Sequence, residues 1–254
     1  MARKARQAVF VWIGFFVATV TLNLLIPFAF RFDLRAWTYS TLKGLLLFSV
    51  NYAGFFLVIP LLLTKGWHIV RKPAFLVPLA AAAVSVVLWY PLHYIATVAI
   101  IVYVYLHYRF DLSELGFRSK GWSKDLLGVA LIGLLGLLQA VATTTLGQIA
   151  ILSAFLSTTF RMFANPASTF ENLFYFGFVT ERLGNRFNRY LVPFLVGAMY
   201  TAHEISNPEY WYEGYSFVFI LIGVTAMAAV YLWRRNIVVQ WLGDGLSWFF
   251  SRLF

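Results

Sequence analysis

The sequence contains no cysteine, which excludes disulfides, thiolate metal sites and cysteine nucleophiles together. Charge is scarce as well: 12% of the 254 residues are charged, against about a quarter in an ordinary soluble domain. Acids are the rarer sign, 10 against 20 Lys and Arg. The chain shows no internal repeat, no low-complexity tract and no second domain, so residues 1–254 read as one unit.

What fills the chain instead is apolar. Hydrophobic residues make up 61% of it, aromatics 19%, and the mean hydropathy is +0.76. These values describe an integral membrane protein whose first partner is the lipid bilayer. A net charge of +10 would suggest nucleic acid in a soluble protein. Here Lys and Arg stand at the ends of apolar runs, where they anchor helices and set topology, so no nucleic-acid partner is expected. The run after "MARKARQ" is long enough to span a bilayer and lacks a small-residue cleavage pattern, so it reads as a first helix, not a removed signal.

A spanning helix needs about 20 apolar residues. The segments are Ala8–Phe30, Lys43–Leu63, Pro73–Tyr90, Pro91–Tyr108, Asp125–Leu146, Pro166–Glu181, Tyr190–His203, Tyr215–Trp233 and Asn236–Leu253. The expected fold class is all-α, a polytopic membrane bundle of about eight or nine helices. Pro73 to Tyr108 reads as one long helix or as two turning near "WYPLH"; parity of charge favours two. Arg3, Lys4 and Arg6 place the N-terminus in the cytoplasm, and the basic loops at Lys65–Lys72, Arg109–Lys124, Arg182–Arg189 and Arg234–Arg235 join it there. The acidic "EISNPEYWYEG", with Glu204, Glu209 and Glu213, reads as an outside loop. The first outside loop, with Arg31, Arg35 and Lys43 against Asp33, breaks the pattern. "GQIAILSAFLSTTFRMFANP" reads as an interfacial or re-entrant piece. The compartment expected is the cell membrane of a prokaryote.

Two acids lie deep in apolar sequence, Glu171 and Asp244. An ionised carboxylate at the bilayer centre costs about 2.5–3.5 kcal/mol or more, so such a residue faces the protein interior and has a partner. On a regular helix the neighbours of Glu171 are Phe174 and Tyr175, and Tyr175 is placed to donate to its carboxylate. His203 closes the apolar run "YLVPFLVGAMYTA". Paired in space, Glu171 and His203 form a base and an electrophile for hydrolysis. There is no His-Glu-x-x-His, and the spacing offers no two metal ligands on one helical face, so neither metal nor cofactor is expected.

"FENLFYFGF" followed by "VPFLVGAMYTAHEISN" resembles the CPBP family of intramembrane glutamate proteases, which includes the CAAX proteases and bacteriocin-processing proteins. "LSELGFRSKGWSKDLLGVALIGLLGLL" is similar to that family's lead-in to its first motif helix. The resemblance covers residues 112–254; residues 1–111 carry no motif. It implies that Glu171, on the first glutamate of the family's Glu-Glu-x-x-x-Arg, activates water and that His203 keeps the motif histidine. Asn172 stands for the second glutamate and Phe176 for the arginine, while Gly177 keeps the glycine that follows. Met199 replaces a phenylalanine, and Asp244 and Trp248 fall on the last helix's histidine and asparagine. An aspartate at 244 cannot donate to an oxyanion unless it is protonated, and one lost oxyanion donor costs about 2.7–4 kcal/mol.

The expected activity is therefore that of an intramembrane endopeptidase, metal-independent, acting on a membrane-associated or exported peptide. Glu171 and His203 are its catalytic residues, with Asn172, Tyr175 and Asp244 auxiliary. Charge counting puts His203 near the outer face. The alternative is a catalytically inactive relative that serves as a subunit or binding partner of another membrane protein. A transporter or channel has less support, because too few ionisable residues are left to line a polar path.

Overall fold

The computed structural model describes residues 2–29, 58–88, 93–119, 121–143, 151–159, 162, 171–205 and 216–253. Most of the expected segment Lys43–Leu63, the first outside loop, the turn at "WYPLH", and Glu209 with Glu213 lie outside the described residues. Among the described residues the chain is all-α, with no strand.

The helices follow the apolar runs closely. The first, α1, is Ala2–Ala29. A short α2, Ile59–Lys65, leads into a 3₁₀ turn, Trp67–Arg71. Next come α3, Pro73–Leu88, and α4, His93–His107, two helices packed along each other. A second 3₁₀ turn, Leu112–Leu115, precedes α5, Trp122–Thr143. Helix α6, Ile151–Thr159, occupies the stretch expected to be interfacial or re-entrant. A π-helix, Asn172–Val179, runs directly into α7, Thr180–Gly184. The last three are α8, Leu191–Ile205, α9, Ser216–Arg234, and α10, Ile237–Leu253.

The π-helix is the centre of the molecule. All eight of its residues are buried, as a helix apolar on every side requires. The Thr180 N–H reaches the Tyr175 carbonyl five residues back, and the Thr180 hydroxyl donates to the same oxygen at 2.7 Å. Helices α1, α7, α8 and α10 and the second 3₁₀ turn pack against it. That turn approaches closely at Gly177: a methyl group there would lie 2.3 Å from the Leu115 carbonyl oxygen. The obstacle is backbone and cannot rotate away. Gly177→Ala is therefore expected to cost about 1–3 kcal/mol, the range of an overpacked core. A thermal midpoint in detergent equal to that of the parent chain would contradict this packing.

The turn is fixed from both ends. The Asp111 carboxylate accepts from the Ser113 N–H at 2.9 Å, and bonding to Ser113 holds the Asp111 carboxyl below the usual carboxylate range. Gly116 closes the turn at φ 84, where a side chain would meet the buried Tyr231 ring, and its carbonyl accepts from the Ile237 N–H at 2.7 Å.

One end of the bundle holds a layer of ion pairs. Arg182 Nη2 lies 3.2 Å from Glu114, whose other oxygen is 3.4 Å from Lys4 Nζ. Glu181 is 2.8 Å from Arg235 and 3.6 Å from Arg118. Arg234 is 2.8 Å from Asp125, which also accepts from Asn236 and Ser119. Charge counting assigns Arg182 to a basic loop and Glu181 to a segment end. Both are buried side chains of α7 instead, because the wide π winding continues into α7 without a break.

Among the described residues, two stretches are long and apolar enough to cross a membrane, Trp122–Val141 and Phe217–Arg234. On α5, Leu127, Leu131, Leu134, Leu138 and Val141 recur at helical spacing and are exposed, forming one outward apolar stripe. The opposite side of α5 packs on α10 and α9.

Candidate functional site

Glu171 begins the turn that becomes the π-helix, and His203 and Glu204 lie in the last turn of α8. Glu171 and His203 are buried and Glu204 is half-buried. One ligand-type atom from each of the three falls in a group whose members all lie within 4.8 Å of one another. That separation is short enough for one water to touch a carboxylate and the imidazole together. The structure thus brings together the two residues expected to be catalytic and adds a third.

Aromatic packing fixes the geometry. The Tyr200 hydroxyl donates to Glu171 Oε2 at 2.9 Å. The Tyr175 ring lies 4.9 Å from Tyr200 and 6.0 Å from His203 between centroids, nearly parallel to the imidazole. Regular helical spacing has Tyr175 donating to Glu171. The Tyr200 hydroxyl is on that carboxylate, and the Tyr175 ring stacks beside the imidazole. The wider winding of residues 172–179 departs from the α spacing on which that expectation rests. From α1, the Trp12 indole N–H donates to the Met199 carbonyl at 3.0 Å, which ties the N-terminal helix to the turn carrying Tyr200 and His203.

Asn172 and Asp244 meet directly: the Asn172 amide donates to Asp244 Oδ2 at 3.3 Å across the seam between the π-helix and α10. Two of the three auxiliary residues thus meet at one junction, and Asn172 is the chain neighbour of Glu171. Trp248, one turn beyond Asp244, sends its indole N–H to Ser157 of α6 at 3.0 Å. Its bond therefore ties α10 to α6.

No protein-family model, curated protein or solved structure matches the chain.

Two site residues are not evident from the sequence reading. Glu204 falls in an outside loop there, because three acids follow one another without Lys or Arg. In the structure α8 extends to Ile205 and takes Glu204 with it. Tyr200 carries no motif. A signal for both exists: Tyr200, His203 and Glu204 stand at i, i+3 and i+4 on one helix, the spacing that makes side chains neighbours. No two metal ligands are expected on one helical face, and His203 and Glu204, about 100° apart around α8, do not share one. They are successive residues, and the long glutamate side chain lets both reach Glu171.

Proposed function

We propose that the protein is a multi-pass integral membrane endopeptidase that cleaves a membrane-associated or exported peptide with a water activated by Glu171. The observation that carries this reading is the convergence of buried Glu171 and His203 within one water's span. Glu171 takes the proton as water attacks the scissile carbonyl carbon. The resulting oxyanion lies against His203, and Glu171 returns the proton to the leaving amine. Water supplies both the nucleophile and the proton, so the reaction balances without a redox partner or cofactor. Tyr200 holds one oxygen of Glu171 and so orients the carboxylate. Stacking on Tyr175 restrains the imidazole plane. Where the CPBP motif has a second glutamate next to the first, this chain has Asn172, and Glu204 brings a second carboxylate in from α8.

Several features support the membrane setting. Only 28% and 22% of the two long apolar stretches is buried, whereas the core helix of a soluble protein is mostly covered. Lys4, Arg118, Arg182, Arg234 and Arg235, from four stretches read as cytoplasmic, meet in the one layer of ion pairs. Trp12 lies eight residues beyond Lys4 along α1, about 12 Å. His203 lies twelve residues beyond Leu191 along α8, about 18 Å. In a hydrocarbon core about 30 Å thick, these lengths favour a site at mid-depth over one at the outer face, where charge counting puts it.

The test is co-expression with tagged candidate peptides, comparing the parent chain with Glu171→Ala and His203→Ala. Processing by the parent and loss in both variants is the expected result. Equal processing by all three chains would remove the hydrolytic reading and leave a membrane-bound partner protein.

A further inference from the structure

We propose that Glu171, His203 and Glu204 bind one divalent transition-metal ion. The binding claim stands on the geometry alone; its consequence for activity rests on the hydrolytic reading. An imidazole nitrogen and two carboxylates form a mixed nitrogen and oxygen donor set, suited to zinc, cobalt, iron or manganese. The absence of cysteine removes any competing thiolate site from the chain.

The geometry is close to what an ion needs. Zinc holds nitrogen and oxygen donors at about 2.0–2.2 Å, so two donors on a tetrahedral ion lie about 3.4 Å apart. The three donor atoms are already within 4.8 Å of one another. Glu204 can close the difference, because it is the least buried of the three and sits one residue from the end of α8. The other two are held. Tyr200 donates to Glu171 Oε2, the kind of outer hydrogen bond that orients a ligating carboxylate. Tyr175 stacks on the His203 ring. Two carboxylates brought this close repel each other, and a divalent cation between them turns that repulsion into attraction. Three protein ligands leave a fourth position for water.

An ion bound here engages the Glu171 carboxylate that otherwise takes the proton from water. Ion and glutamate-activated water therefore exclude each other, and the ion acts as an inhibitor of the hydrolysis proposed above. The assignment uses Glu204, which lies outside every motif position of the resemblance.

The experiment uses the full chain in detergent and cobalt(II) as the probe, with no peptide present. The expected result is saturation at one ion per chain, with visible d–d absorption that zinc abolishes by displacement. Glu204→Gln is expected to weaken binding at least tenfold, as is His203→Ala. Asp111→Asn, which alters an exposed carboxylate at the second 3₁₀ turn, outside the cluster, is expected to bind as the parent does. X-ray absorption of the zinc-loaded parent chain covers the case in which a variant misfolds: scattering from one imidazole and oxygen donors supports the site. A parent chain that takes up no cobalt, a Glu204→Gln chain that binds unchanged, or a zinc spectrum without imidazole would each overturn it. None of these readouts depends on peptide cleavage, so failure of the metal site and failure of the hydrolytic reading remain distinguishable.

Discussion

A chain carrying Glu171→Gln is expected to stay folded and to lose cleavage by a factor of about 10²–10⁴, the usual contribution of a general base. Glutamine matches glutamate in shape, and its amide oxygen still accepts from the Tyr200 hydroxyl, so the aromatic frame around it is preserved. What it cannot do is take a proton from water. The substitution also removes one of two close carboxylates and with it a like-charge repulsion. The thermal midpoint is therefore expected to hold or rise while activity falls, as when a site is kept at the expense of stability. The check is a time course of peptide processing beside a thermal melt of the same preparation. Processing at the parental rate by the Glu171→Gln chain would show that Glu171 is not the base. Loss of both activity and midpoint would mark it as a packing residue.

The apolar runs made the helices legible because lipid and protein core impose the same demand on them. Pro73–Leu88, Ser216–Arg234 and Ile237–Leu253 begin or end within two residues of their expected bounds. Hydropathy could not report winding. The segment ending at Glu181 reads as an ordinary spanning helix, and the π-helix inside it changes which side chains stack near Glu171. It also carries Glu181 and Arg182 into the interior, where charge counting assigns a segment end and a basic loop. Sign-counting fails at such places for a physical reason: it scores the chain neighbours of a charge, while burial depends on the spatial ones. Arg182 shows this well. Its guanidinium lies 3.6 Å over the Phe178 ring and 3.2 Å from Glu114, a residue 68 positions away.

Glu204 teaches the complementary lesson. It is legible as a neighbour of His203, yet acids in a row suggest solvent. The helix that holds Tyr200 and His203 does not stop for it. A carboxylate one residue from a buried histidine is within reach of whatever the histidine faces, and here that is Glu171.

The second large effect is on stability. Glu181→Ala is expected to lower the unfolding free energy by about 3 kcal/mol, the low end for removing one partner of a buried ion pair. Three groups depend on this carboxylate. The buried Tyr231 hydroxyl donates to Oε1 at 2.9 Å, and Arg235 donates to Oε2 at 2.8 Å. Arg118 stands 3.6 Å away but is 38% exposed, so solvent screens its share. Arg235 also holds a positive φ of 54, a left-handed conformation unfavourable for any residue with a side chain, and its bond to Glu181 helps to keep it there. Without the carboxylate, Tyr231 is left with one hydrogen bond fewer in the interior, and the turn joining α9 to α10 loses an anchor. Lys4→Ala, at the exposed Lys4–Glu114 pair, serves as the comparison and is expected to cost at most about 1 kcal/mol. Unfolding of Glu181→Ala, Arg235→Ala and the double variant isolates the pair. If Glu181→Ala costs no more than Lys4→Ala, the carboxylate is solvated, and α7 is an exposed loop end as the sequence alone suggests.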